Sequence, residues 1–277
     1  MLKKGDFLVR EYRKSDYEEL VSLWQICFGD ERDFIESFFV SFKDRMKAFV
    51  YEEDEKVVSA VYLLPSKICA KKELDAWYLY AVSTLPGYRK RGFASNIINY
   101  IKKLDDGKTI LFLTPSSEEN RLFYKSLSFE DKFINYEYKY CYEKANCDVK
   151  LEKMTGDISK IRNSLLKENF VKWDKEHISF SFDENLFLIK NGEKISGYLH
   201  FKKDNGEISV DEIIADEKDI SSALSQLCKM LNIKNIKVMS NKGNEYCKKY
   251  KGMIYYKFDS ICDIMSKNDF YLGINME

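Results

Sequence analysis

The chain of 277 residues reads as an α/β (α+β) protein of two tandem domains. Three observations lead there. Apolar runs of period two alternate along the chain with runs of helical spacing. From about residue 150 the order of these runs starts again, so the second half looks like a degenerate repeat of the first. Between a strand-like run and the helix-like run after it, Arg89-Lys90-Arg91-Gly92-Phe93-Ala94 packs basic and small residues into one turn.

Each element has a local reason. Residues 7–12 alternate and open the chain as a strand. Ser15, with Glu18 three residues on, has the pattern of a capping box. Leu20, Leu23, Trp24 and Cys27 recur at helical spacing behind it, and Gly29-Asp30 ends that helix. A second, Phe-rich helix covers 34–42. Strands follow at 48–52 and 57–70, joined by a tight turn at Glu53-Asp54-Glu55. Residues 77–84 are a fourth strand leading into the basic loop, and 95–103 a helix. A continuous apolar run makes 109–114 a buried strand. Residues 118–127 are helical, and 129–142 form a long aromatic strand. The order is β-α-α-β-β-β-α-β-α-β.

In the second half, 158–170 reads as a helix. Residues 186–190 and 194–201 flank Asn191-Gly192, a strong hairpin signal. A strand at 207–215, a helix at 220–231, a strand at 235–239, a short helix at 244–250 and a strand at 253–262 complete it. Tyr124-Lys125 and Tyr250-Lys251 stand at corresponding places in the two halves. The counterpart of the basic loop, Ala215-Asp216-Glu217-Lys218-Asp219-Ile220, has no Gly and three acids. It would repel an anion.

Composition sets the class. Lys plus Arg (45) balances Asp plus Glu (45), which removes a global electrostatic case for nucleic acid or an anionic membrane. The N-terminus lacks an apolar signal core and no run is long enough to span a bilayer, so the expected location is cytoplasmic. Seven scattered cysteines without a Cys-x-x-Cys pair, and two histidines, argue for packed, reduced thiols and against a metal site.

The basic loop has a physical meaning of its own. A glycine-containing turn at a helix N-terminus presents backbone N–H groups, and the helix dipole, to an anion. It is not a Walker loop, which needs Gly-x-x-x-x-Gly-Lys-Ser/Thr, nor a dinucleotide fingerprint, which needs Gly-x-Gly-x-x-Gly near the first strand. Arg89-x-x-Gly92-x-Ala94 resembles the pyrophosphate loop of GNAT-type N-acetyltransferases, and the element order and the loop's place after the fourth strand match that superfamily. Asn120-Arg121-Leu122-Phe123-Tyr124-Lys125-Ser126-Leu127-Ser128-Phe129 resembles the family's Asn-x-x-Ala-x-x-Phe-Tyr-x-x-x-Gly-Phe element. It departs from it at Ser128, where Gly is usual, and in the shorter spacing after Asn120. Leu23-Trp24-Gln25-Ile26-Cys27-Phe28-Gly29-Asp30 and residues 81–89 are similar to the enhanced-intracellular-survival type, whose members carry a second, degenerate acetyltransferase-like domain and usually a third domain.

The resemblance implies two tandem domains, each a twisted, mixed, mostly antiparallel sheet flanked by helices: 1–145 catalytic, 146–277 degenerate with a C-terminal tail. It implies acetyl-CoA as co-substrate, without a metal. Val82, Ser83 and Thr84 would offer backbone to pantetheine. Arg89, Lys90, Arg91, Gly92, Phe93, Ala94 and Ser95 would hold the pyrophosphate end, with Asn120 at the cofactor. Tyr124 would be the general acid. For the base, Glu73, Asp75, Tyr78 and Tyr80 lie on or near the fourth strand, and the resembling subgroup implies the terminal carboxylate of Glu277. Trp24, Phe28, Phe34, Phe38, Phe39 and Phe42 are expected as core or as an aromatic wall. Asp30, Glu31, Asp33 and Glu36 are expected as a solvated face or as steering for a cationic amine. The acceptor is a small-molecule or peptide amine, and the subgroup implies self-association. The rival reading is a non-catalytic acyl-CoA sensor or interaction module.

Overall fold

The computed structural model describes residues 9–104, 109–142, 148–204, 206–243, 245–257, 265 and 268–274. Of these, residues within Met1–Lys67, Leu74–Glu130 and Met253–Lys267 form one compact unit. Those within Ile68–Glu73, Asp131–Gly252 and Asn268–Glu277 form a second. The boundary expected between residues 145 and 146 lies outside the described residues.

The first unit follows the expected order: β1 (Val9–Glu11), α1 (Tyr17–Phe28), α2 (Arg32–Phe42), β2 (Lys47–Glu53), β3 (Lys56–Cys69), β4 (Glu73–Thr84), α3 (Phe93–Ile101), β5 (Leu111–Leu113) and α4 (Glu118–Ser126). Its sheet runs β1-β2-β3-β4-β5. Asp54 and Glu55 turn β2 into β3 with φ of 51° and 61°, the left-handed pair that matches the twist of a two-residue hairpin. The start of α1 differs from expectation. Ser15 sits in a 3₁₀ turn, and Asp16 takes the N-cap position of α1 without a side-chain bond to that helix; its Oδ2 instead closes the 3₁₀ turn by accepting the Arg13 N–H at 2.6 Å. Arg10 holds the same carboxylate at 2.6 Å, while Glu18 bonds Arg32 instead. Trp24, Phe38, Phe42 and Tyr62 pack ring on ring in the core between α1, α2 and the sheet. Four of the expected aromatics, Trp24, Phe38, Phe39 and Phe42, are therefore core, as helical spacing of aromatics usually means.

The second unit holds β6 (Glu130–Cys141), β7 (Lys150–Lys153), α5 (Ser159–Leu165), β8 (Phe170–Lys172), α6 (Lys175–Ser181), β9 (Leu186–Asn191), β10 (Lys194–Asp204), β11 (Glu207–Ala215), α7 (Glu217–Leu231) and β12 (Asn235–Ser240). Its sheet runs β6-β12-β11-β10-β9-β7. The helix expected over 158–170 ends at Leu165; β8 begins at Phe170, and a further short helix, α6, follows it. Leu166 turns extended and Asn169 is left-handed at φ 59°, which stops the first helix. The helix expected over 244–250 shrinks to one 3₁₀ turn, Glu245–Cys247, and β13 (Lys248–Tyr255) begins at once. Tyr124 thus lies in a helix and Tyr250 in a strand, so the repeated Tyr-Lys pair does not mark equivalent positions.

The repeat itself is visible in the sheets. In the first unit β4 and β5 pair in parallel and β5 is flanked by an antiparallel strand. In the second, β11 and β12 pair in parallel and β12 is flanked by an antiparallel strand. Each flanking strand comes from the other end of the repeat order. Met253, Ile254 and Tyr255 of β13 pair with Leu113, Phe112 and Leu111, whereas residues 136–141 of β6 pair with β12.

Candidate active site

The site is built where β4 leaves β5. These strands pair only at Trp77–Leu111 and Tyr78–Phe112, and residues 79–84 of β4 continue beyond the end of β5. Ala81, in mid-strand, has φ 46°, an irregularity that redirects the strand's polar groups. At the end of β4 the Ser83 carbonyl accepts from Ser59 Oγ at 2.6 Å. The Thr84 carbonyl accepts from Cys27 Sγ at 3.3 Å and from Arg89 Nε at 3.2 Å.

A 3₁₀ turn (Pro86–Tyr88) then leads to α3, two residues earlier in the sequence than expected. Gly92 is the N-cap at φ 84°, and open space surrounds the place of its missing Cβ, so backbone conformation rather than crowding calls for glycine. The first helical bond runs from Asn96 N to Gly92 O at 2.9 Å. That leaves the N–H groups of Phe93, Ala94 and Ser95 without intrahelical partners. No side chain caps the helix and its first turn carries no acid. The positive end of the dipole is therefore available to an anion.

A cleft of about 670 Å³ opens here. It is lined by Val82, Ser83, Thr84, Arg89, Lys90, Gly92, Phe93, Ala94, Ser95, Asn120 and Tyr124, which bring together most of the residues expected at the cofactor. Cys27, Phe28, Tyr88, Ser116, Glu119 and Phe123 also line it. The sequence reading left out Cys27, Tyr88, Ser116, Glu119 and Phe123 as wall residues. Only the Ser-Ser-Glu-Glu start of α4 could have pointed to Ser116 and Glu119. Arg91 does not line the cleft. Its guanidinium bonds Glu53 Oε1 at 2.9 Å and lies over the rings of Tyr88 and Phe93.

On the opposite wall, Ser117 Oγ caps α4 by accepting from Asn120 N at 3.1 Å, and Asn120 Nδ2 donates to Ser116 Oγ at 2.7 Å. Tyr124 is 8% exposed. Burial, with the Tyr78 phenol as a second cause, pushes its pKa up, so the phenol keeps its proton at neutral pH and can present it as a hydrogen-bond donor. Of the other candidates for proton transfer, Tyr80 is buried against Trp24 and Phe38. The Asp75 side chain is 93% exposed beside Lys67, and Glu73 pairs with Lys172. Neither carboxylate lines the cleft. Asp30 accepts from Trp24 Nε1 at 2.7 Å, and Glu36 accepts from Arg32 Nε at 2.7 Å. Glu277 lies outside the described residues. Among the described residues no group of His, Cys, Asp and Glu has the arrangement of a metal site, and no helix is long and apolar enough to cross a membrane.

Comparison with known proteins agrees with this geometry. Residues 8–130 match the acetyltransferase (GNAT) domain family. No curated protein matches the sequence significantly. The fold is similar to a probable N-acyltransferase from Enterococcus faecalis V583, with a TM-score of 0.72 and 15% identity over 90% of this chain and 72% of that one. It is also similar to Eis1 from Mycobacterium abscessus, at 0.62 and 10% over 90% and 73%. A tandem GNAT protein from the clavulanic acid biosynthesis pathway aligns at 0.55 and 12%, over 90% of this chain and 98% of that one. Element order, the parallel β4–β5 pair with a cleft at its open end, and the sequence match agree: residues 8–130 match the GNAT acetyltransferase domain family, and acyl transfer is the chemistry of that family.

Proposed function

We propose that the first unit transfers an acetyl group from acetyl-CoA to the amine of a small molecule or peptide, by direct attack in a ternary complex. One observation carries the reading. A single cleft joins an uncapped helix N-terminus, two exposed cations, the free end of β4 and a protonated phenol. The N–H groups of Phe93, Ala94 and Ser95, with Arg89 and Lys90, suit a pyrophosphate. The backbone of Val82, Ser83 and Thr84 runs along the cleft, in reach of an extended amide-bearing arm. The neutral amine attacks the thioester carbonyl, and a C–N bond forms as the C–S bond breaks. Tyr124 gives its proton to the leaving sulfur, and the amine gives its own to a base. Glu277 remains our proposal for that base. The catalytic work then belongs to the stretch 1–145 and the cytoplasmic acetyl-CoA pool, while 146–277 serves as scaffold.

A second reading has its own support. Among the described residues, the cleft wall contains one carboxylate, Glu119, and no imidazole. That favours an acyl-CoA sensor that binds without turnover. Calorimetric titration of acetyl-CoA into the full chain, followed by thiol release over a panel of amines, separates the two. Binding with turnover supports the enzyme, binding without turnover supports the sensor, and no binding removes both. In the enzyme, Tyr124→Phe should lower kcat by about 10²-fold and leave acetyl-CoA affinity unchanged. An unchanged kcat would remove Tyr124 from the mechanism.

A further inference from the structure

We propose that Glu53 is a positioning residue for the anion loop, acting through Arg91. The inference rests on the acyl-CoA reading of the cleft. The loop has two left-handed residues, Lys90 at φ 62° and Gly92 at φ 84°, on either side of Arg91. For lysine that conformation is costly, so something must hold it. Arg91 is the only residue between them, and its side chain is turned away from the cleft. The guanidinium reaches the β2–β3 hairpin, where it donates to Glu53 Oε1 at 2.9 Å. It also covers Tyr88 at 5.4 Å and Phe93 at 5.0 Å from the ring centroids. These two residues flank the turn on its entry and exit sides. Phe93 in turn stacks on Tyr51 of β2, with centroids 4.2 Å apart and planes 26° apart.

The result is a clamp. One planar cation fastens both sides of the loop to a hairpin that is already in the sheet. Arg89 and Lys90 remain to face the ligand. The third cation of the motif therefore shapes the cradle instead of filling it. A planar fork that bonds a carboxylate while covering two rings is a task for arginine and not for lysine.

Charge and position predict opposite outcomes for Glu53. Removing a carboxylate beside a basic loop should tighten the binding of an anion by Coulomb attraction alone. Removing a clamp should weaken it. In Glu53→Gln we expect KM for acetyl-CoA to rise about three- to fivefold, the scale of one partly exposed ion pair, with kcat within about twofold. Arg91→Lys should behave like Glu53→Gln, and Glu53→Gln added to Arg91→Ala should cost nothing more. Hydrogen exchange on the ligand-free protein reads the clamp directly, and the amides of residues 89–95 should exchange faster in Glu53→Gln. An equal or lower KM with unchanged exchange would overturn the proposal while leaving the acyl-CoA site intact. A wild-type protein that does not bind acetyl-CoA would overturn both.

Discussion

The two units share an order of strands and helices and treat one feature in opposite ways. In the first, α3 begins at a left-handed glycine with no side-chain cap and no acid in its first turn. In the second, α7 also lacks a side-chain cap bond, but it follows Asp216 and carries Glu217 and Asp219 in its first turn. Asp219 is buried there, accepts from Asn191 Nδ2 at 3.2 Å, and donates its N–H to the Asp216 carbonyl at 2.8 Å. Carboxylates near a helix N-terminus stabilise the helix and satisfy its dipole. The strands differ in the same sense. β4 outruns β5, but β11 pairs with β12 again after an irregularity between Val210 and Ile213, at Ile213–Ser240, where Ser240 Oγ also bonds the Ile213 carbonyl at 3.3 Å. Tyr140 closes over α7, its hydroxyl 2.6 Å from Ser225 Oγ. The cavity beside α7 is about 350 Å³, against about 670 Å³ at α3. A helix N-terminus can serve its own fold or a ligand. The second unit uses it for stability and the first leaves it open.

The difference between the units can be broken first at the cradle, where the largest effect on binding is expected. Gly92→Val places a β-branched residue at φ 84°, a strain of about 1–3 kcal/mol that the cradle must absorb. Calorimetry should then show acetyl-CoA affinity reduced about tenfold or more. Because the second unit has no open cradle, no residual high-affinity site should appear; a remaining site of wild-type affinity would place binding elsewhere.

The units also bury their cations differently. In the second, Arg162 and Glu212 are both fully buried and pair at 3.1 Å, and Tyr271 donates to the same carboxylate at 2.9 Å. Gly273 sits beside them in the left-handed region at φ 73°, and a Cβ there would crowd the Glu212 carboxylate and the Arg162 guanidinium. Glu212→Gln leaves a buried guanidinium uncompensated and should cost about 3–5 kcal/mol in denaturant unfolding. A loss below about 1 kcal/mol would show that water reaches this network.

A smaller change can make the first unit resemble the second. Ser95→Asp puts a carboxylate in the first turn of α3. It should stabilise the protein by about 0.3–1 kcal/mol and weaken acetyl-CoA binding at the same time. Stabilisation with unaltered binding would mean that the ligand does not use this dipole.

The smallest effect concerns Lys102, whose amine donates to the Leu127 carbonyl and lies 3.8 Å from the Tyr255 ring centroid and 4.8 Å from that of Phe129. Burial pulls its pKa down to about 8. The folded state then holds this proton less tightly than the unfolded chain. Stability should rise as pH increases from about 8 toward the ordinary lysine value, and below about 8 the full penalty applies. The ring faces favour the ammonium and offset part of this, so we expect about 1 kcal/mol or less over the window. Lys102→Met should flatten the pH dependence; an unchanged slope in urea unfolding between pH 8 and about 10 would assign it to other groups.

Much of this site was legible in the sequence because its signals are local. Gly92 among cations, a strand before it and an amphipathic helix after it mark an anion cradle within a few residues. The Asn191-Gly192 turn marks its hairpin in the same way. The side chains that merely line the wall, such as Cys27 and Glu119, carry no such mark, since an exposed Glu at a helix start is common anywhere. The start of α1 at Asp16 and not at Ser15 has no local mark, because the Asp16 carboxylate is held by the Arg13 N–H and by Arg10, which a strand brings from outside the helix.

The sequence by itself determined the order of elements in the first half, the repeat, the open cradle in the first half and the acidic counterpart in the second. Periodicity, turn chemistry and first-turn charge act over one or two helical turns and are written in consecutive residues. Only the tertiary structure decided that β13 completes the sheet beside β5 and β6 the sheet beside β12. It also decided that Arg91 turns to Glu53 instead of the cleft and that Tyr124 reaches the cleft while Tyr250 becomes part of a strand. Those outcomes rest on pairing register and on contacts between residues far apart in the chain. A strand's sequence says that it will pair, but the partner is chosen by the packing of everything else.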